Sequence, residues 1–287
     1  MKQLIVNADD LGADEARNKG IFEAIEAGAV TSVSLLANGP ALNDALSRIK
    51  LMGSTKISFG LHLNLSEGRP LSSDLGVLVG PDGFFLGKAA THQLLTRNGY
   101  MALRDEISRE LSAQIEVLRN SGIGIQHIDG HQHVHVFPAV CRTVVQEAER
   151  DGIPWMRIPE EAFPSDQGDK IPASLKEEGL LFNRMARTAH PELNGTGIRT
   201  TDHFRGLFLR GRLSSLTLKK VLRSLPSGLT ELMVHPGRVP AVPLLSPFST
   251  FSNRDREQEL EALLNQEFQE ILEAENIDLT PFPETVS

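Results

Sequence analysis

The sequence predicts an α/β chain folded as a single irregular (β/α) barrel, TIM-barrel-like, spanning residues 1–287 as one domain. Three observations predict it. Short buried-strand signals and amphipathic helical stretches alternate seven or eight times, the pattern of a parallel sheet with crossover helices. The 287 residues suit one barrel of the usual size, about 250 residues. Titratable side chains recur where predicted strands end, and those ends converge on one face of a barrel. An open doubly wound sheet fits less well, because no Gly-rich dinucleotide or P-loop fingerprint follows any strand.

Leu4-Ile5-Val6 is a buried-strand signal that runs into Asn7-Ala8-Asp9-Asp10-Leu11-Gly12. A helix is expected over about 14–27, with Ile21, Phe22 and Ile25 inward and Gly28 as its stop. Thr31 to Ala37 reads as strand, Ala41 to Leu51 as helix, and Lys56 to Leu65 as a third strand carrying His62. Ser66 to Gly87 is too long for an idle connection and is expected to form a lid or pocket wall. In Leu103 to Asn120, Ile107, Leu111, Ile115 and Leu118 line one helical face. A histidine-rich strand follows, then a helix over Ala139 to Asp151 and a short strand at Pro154 to Ile158. Beyond a weakly patterned stretch with a helix at Ser174 to Thr188, Thr200 to Phe208 reads as extended and Leu213 to Leu225 as helical. Leu229 to Val234 is a strand ending at His235-Pro236-Gly237. An irregular proline-containing loop (Arg238 to Thr250) leads to a long acidic helix ending near Glu275, and Ile277 to Leu279 is positioned to close the sheet.

Composition narrows the function. A formal charge of −8 argues against nucleic acid or an anionic membrane as partner. The one cysteine, Cys141, falls at a core position of a predicted helix and excludes an internal disulfide framework. The apolar run at the N-terminus is too short for a signal peptide, and no segment approaches the ~20 apolar residues of a membrane span. A soluble cytoplasmic protein is expected.

The densest chemistry lies in Gln126 to Pro138, where four of the nine histidines fall within nine residues around Asp129. Read as a strand, His127, Asp129, His131, His133 and His135 share one face. A buried row of imidazoles is costly unless its nitrogens are satisfied, and a divalent cation does this well. The spacing does not say which histidine binds. Asp9-Asp10, His62, this cluster and His235 each end a different predicted strand. Neighbours on a regular strand face opposite ways, so Asp9 and Asp10 reach one centre only if the chain breaks there. One carboxylate would then hold a metal while the other acts as base. An Asp-plus-two-His set with open positions is a catalytic arrangement, able to acidify water and polarise a carbonyl. His235 is the candidate acid for an amine leaving group. Asp129 suits the task of orienting a ligand histidine. Asp202-His203 and Trp155 are weaker candidates for the pocket, with a core role favoured for Trp155.

The motifs Asn7 to Gly12, Gly60 to Asn64, His127 to His135 with Phe137-Pro138, and Glu231 to Gly237 resemble those of the YdjC-like carbohydrate deacetylases. The Arg254 to Glu261 helix start is also similar to the family. That resemblance implies metal ligation by Asp10, His62 and His131, with Asp9 as general base and His235 as acid. It implies hydrolytic removal of acetyl from an N-acetylated sugar on a distorted barrel related in outline to the polysaccharide deacetylases, and the acceptor need not be a chitin fragment. The family's metal is usually magnesium, whereas the ligand types suit zinc or another transition ion. A small N-acetylated carbohydrate is then the expected partner, and a homodimer is compatible with the reading. Competing classes are a glycoside hydrolase, which needs opposed carboxylates at least ~5 Å apart, and a non-catalytic carbohydrate- or metal-binding protein.

Overall fold

The computed structural model describes residues 1–53, 56–164, 171–241, 248 and 253–284. Strand β1 (Lys2–Leu11) is central. On one flank it pairs with β7 (Gly228–Val234) from Lys2 to Ala8; on the other its start pairs with β8 (Ile277–Leu279) and its end with β2 (Ser32–Leu35). The sheet continues through β3 (Ser58–Leu63), β4 (Ile125–Gly130) and β5 (Trp155–Met156), and beyond β7 through β6 (His203–Arg205). Every pairing between these strands is parallel. β5 and β6 stand at opposite ends of the order and do not pair with each other. A bridge links β5 to the segment ahead of β6, in which the Met156 N–H donates to the Arg199 carbonyl (2.8 Å) and the Arg199 N–H to that of Pro154 (2.9 Å). The irregular barrel is confirmed, with one correction. Ile277–Leu279 does not close it but pairs beside the start of β1.

Around the sheet lie α1 (Glu15–Glu26), α2 (Leu42–Leu51), α3 (Lys88–Arg97), α4 (Tyr100–Asn120), α5 (Pro138–Arg150), α6 (Ala173–Ala189), α7 (Ser215–Arg223), α8 (Arg254–Leu264) and α9 (Gln266–Ala274). The expected long acidic helix is two helices, because Asn265 leaves helical geometry and its side chain caps α9 through the Glu267 N–H (2.9 Å). Helix α3 has no counterpart in the sequence reading. The stretch ahead of it is pinned to α4 by two carboxylates. Glu110 accepts from the Leu71 and Ser72 amides, and Glu106 from those of Gly76, Val77 and Leu78. Most of the Arg238 to Thr250 loop lies outside the described residues.

Alternation along the strands sorts two different interiors. Outward residues such as Leu4, Val6, Val33, Leu61, Ile128 and Leu232 join the main apolar core beneath the helices. Inward residues begin as an apolar floor of Ile5, Trp155, Leu229 and Phe282. Trp155 is therefore core, its indole N–H bonded to the Pro283 carbonyl (3.0 Å). Above the floor the inward side chains turn polar: Asn7, Ser34, His127 and Glu231 are fully buried. His127 stacks on Phe282 (4.3 Å between centroids), and a Cβ on Gly60 would overlap its ring. Gly60→Ala is therefore expected to destabilise the protein by about 1–3 kcal/mol, the usual cost of overpacking, read as a lower urea midpoint.

Candidate metal and catalytic site

Asp9 and Asp10 reach one centre through a break in β1. Asp10 itself adopts a left-handed backbone (φ 70°), and the pairing of β1 with β2 shifts register between Ala8 and Leu11. Both side chains are buried in the same cleft. Asp10 makes the turn itself, in a conformation that Asp tolerates better than most residues, and nearby Gly12 is also left-handed (φ 101°).

Asp10, His62 and His131, the set that the family resemblance implies, lie together in the structure. Asp10 Oδ1 lies 2.8 Å from His131 Nδ1 and 3.3 Å from His62 Nε2, and the three ligand atoms lie within 4.8 Å of one another. Small adjustments would let these donors share one divalent ion. The other nitrogen of each ring rests on a carboxylate: His62 Nδ1 on Asp129 Oδ1 (2.6 Å) and His131 Nε2 on Glu67 Oε2 (3.0 Å). This is the usual support for a metal-binding imidazole, since it fixes tautomer and orientation. Asp129 thus orients His62. Burial raises the Asp10 pKa, but His131 and Arg17, whose Nη1 lies 3.0 Å from Oδ2, outweigh it and hold this carboxyl well below the carboxylate range. Burial likewise opposes charge on His62, yet Asp129 and Asp9 push its pKa up to about 10. The field here favours a cation, and the donor set fits one.

A second group, Asp9 with His62 and Asp129, is equally compact. There Arg157 already supplies the positive charge. Its fully buried guanidinium donates to both Asp9 oxygens (2.8 and 2.7 Å) and to Glu231 Oε1 (2.8 Å), and lies 2.9 Å from Asp129 Oδ2. Asn7 adds a third donor to Asp9 (2.7 Å). Burial nonetheless raises the Asp9 pKa, against Arg157 and His62, which improves it as a base. Asp129 stays ionised because Arg157 and His62 overcome its burial.

His235 stands across from these groups, its Nε2 4.0 Å from Asp9 Oδ2 and its Nδ1 3.9 Å from Glu259 Oε2. Burial, then Arg256, hold its pKa well below the ordinary histidine value, so the ring rests neutral.

Past Gly130 the histidine row does not continue as strand, which corrects the one-face reading. The chain enters a 3-10 turn over His131–Val136, with Gln132 and His133 both left-handed (φ 55° and 57°). His131 and His133 face the cleft. His135 Nε2 instead meets the Arg157 carbonyl (3.0 Å), and His127 meets Ser34 (3.1 Å) deep in the barrel. Asp202 and His203 are not brought here. Asp202 accepts the Leu229 N–H and His203 contacts the Ser227 carbonyl. Sequence reasoning missed Arg157, Glu231, Arg17 and Glu67. A charged residue inside an apolar strand (Glu231 in Leu-Thr-Glu-Leu-Met-Val, Arg157 after Trp155-Met156) was the available signal for two of them. Glu67 carried none.

The profile of the YdjC-like proteins matches residues 3–274. This chain belongs to the YdjC-like family. A mouse carbohydrate deacetylase is 39% identical over 257 residues, covering 84% of this chain and 79% of the mouse protein. A carbohydrate deacetylase of Thermoanaerobacter pseudethanolicus is 29% identical over 98% of both chains. The fold matches a crystal structure from Enterococcus faecalis, provisionally described as a cellobiose-phosphate cleavage protein. Its TM-score is 0.76 at 24% identity, covering 98% of this chain and 97% of that one.

In this YdjC-like chain, Arg157→Met would leave Asp9, Asp129 and Glu231 buried without their cation. A loss of about 3–5 kcal/mol is expected near neutral pH. Glu231 titrates near 7 even with Arg157 present, because burial raises it. In the variant the carboxyls would titrate above their unfolded values, so their penalty is absent below the unfolded pKa and grows as pH rises. Denaturant midpoints should therefore differ most from wild type at pH 7–8 and converge toward pH 4; a pH-independent gap would contradict this account.

Proposed function

We propose that this protein is a metal-dependent carbohydrate deacetylase, hydrolysing the amide of an N-acetylated sugar or oligosaccharide to acetate and a free amine. One observation carries the reading: the Asp10–His62–His131 donor set shares its cleft with a separately anchored carboxylate, Asp9, and a neutral imidazole, His235. The names of the relatives agree with it.

A divalent ion held by Asp10, His62 and His131 would polarise the acetyl carbonyl and acidify water. The chain's own groups handle the protons. Asp9 is held on edge by Arg157 and Asn7, and accepts a proton from the attacking water. As the C–N bond breaks, the nitrogen must gain a proton to leave as an amine. His235 supplies it, its Nε2 4.0 Å from Asp9 Oδ2, so that the proton collected by Asp9 reaches the ring through one bridging water. A ring that rests neutral suits such a relay, since it accepts before it donates. Asp129 and Glu67 keep the two ligand imidazoles in place throughout.

Acetate release from a panel of N-acetylated oligosaccharides tests the reaction, using chelator-stripped protein reloaded with magnesium, zinc, cobalt or nickel. Stripped protein should be inactive and at least one ion should restore release. New reducing ends without acetate would select a glycoside hydrolase instead. No acetate with any ion or sugar would remove the reading.

Asp9→Asn keeps size and shape but not basicity, so the rate should fall by about 10²–10⁴-fold with bound metal unchanged. Near-normal turnover would assign Asp9 a structural part only. His235 should titrate in nuclear magnetic resonance spectra well below 6.5, remaining neutral from pH 6.5 to 8. A ring charged at pH 7 would replace the relay with direct donation.

A further inference from the structure

Of the motif histidines that take no part in the chemistry above, His133 is the one that lines the cleft. His133 is buried (6% exposed), yet its Nδ1 has no hydrogen-bond partner. It lines the same cleft as Asp9, Asp10, His62 and His235. Two neighbouring side chains hold the ring by their edges, Phe182 at 4.6 Å and Phe204 at 6.3 Å between centroids. The backbone that brings it there is unfavourable: Gln132 and His133 are consecutive non-glycine residues with left-handed φ. Glu67 anchors that turn from outside, accepting from Gln132 Nε2 (2.9 Å) while its other oxygen meets His131.

A residue that mattered only for packing would need neither the strained turn nor a nitrogen. The inside of this cleft is also where a sugar must sit if the proposed reaction is right, and this inference rests on that reading. We propose that His133 is a substrate-binding residue, its imidazole hydrogen-bonding a hydroxyl of the N-acetylated sugar while His131, two residues earlier, serves the ion. Neutral imidazole carries one donor and one acceptor nitrogen, so it pairs with a hydroxyl in either sense. The apolar neighbours Leu175 and Phe182, in the same cleft, exclude water from that contact and make it specific.

His133→Phe tests this, because it keeps an aromatic ring against Phe182 and removes both nitrogens. KM for an N-acetylglucosamine oligosaccharide should rise about five- to tenfold, the worth of one lost hydrogen bond. Metal content and thermal midpoint should stay at wild-type values. Hydrolysis of a phenyl acetate, which offers no sugar hydroxyl, should be unchanged. Calorimetric affinity for the same oligosaccharide should fall by the same factor, a reading that does not require turnover. Unchanged KM and affinity, or equal losses on sugar and phenyl acetate, would overturn the inference. If H133F does not fold, His133→Leu takes the same measurements. The two readings fail differently: wild type that binds the sugar without releasing acetate defeats the deacetylase reading, whereas a variant that binds and turns over like wild type defeats this one.

Discussion

Everything at the mouth of the barrel depends on one buried cation, Arg157. Three carboxylates from three different strands, Asp9, Asp129 and Glu231, are drawn to its guanidinium, and none of them reaches bulk water. Such a cluster is costly to bury, and it is tolerated because its members satisfy one another in fixed directions. Its benefit is orientation. Asp129 can hold His62 and Asp9 can face the cleft because both are tied to the same planar group. His135 in turn holds the backbone of Arg157 through its carbonyl. Residues that look like four separate motifs in the sequence are thus one electrostatic unit in space.

The unit works because the barrel interior changes character along its axis. Its floor is apolar and closed, its middle is a hydrogen-bonded layer of Asn7, Ser34 and His127, and its top is ionic. Ser34 joins the layers, bonding Asn7, His127 and Asp129 at once. Moving up this axis, each added charge meets a partner fixed by the layer beneath. The carboxylates at the top are where a cation is welcome, and Asp9 and His235 line the same cleft.

Much of this was legible in the sequence, and the reason is geometric. Strand periodicity and the ends of β1, β3, β4 and β7 carry Asp9, Asp10, His62, His131 and His235, so a barrel reading alone gathers them on one face. Local pattern could not reveal what depends on distant partners. The charge of Arg157 within a strand signal marks it as unusual, but only the fold shows the three acids around it. Glu67 is a polar residue in a long loop, and only the fold shows it against His131. After Gly130 the alternation of histidines imitates a strand, whereas left-handed Gln132 and His133 give no composition signal. Sequence pattern also overextends the short outer strands. β5 and β6 are cut to two and three residues by pairing geometry, not by a change in residue type.

The position of β1 has a consequence for how the molecule assembles. This strand is the second residue onward in the chain, yet one flank waits for Gly228–Val234 and the other is finished by Ile277–Leu279. Phe282 then stacks on His127 and donates its N–H to Ser58, sealing the floor. Strand β1 is therefore completed by β7 and β8, and these two pairings close loops of more than 200 residues. Chains with such distant partners organise slowly, because loop entropy is lost before the contacts that repay it form. The floor beneath the charged cluster thus depends on pairings far apart in sequence, whereas Asp9, Asp129 and Arg157 above it are already present in the N-terminal 157 residues.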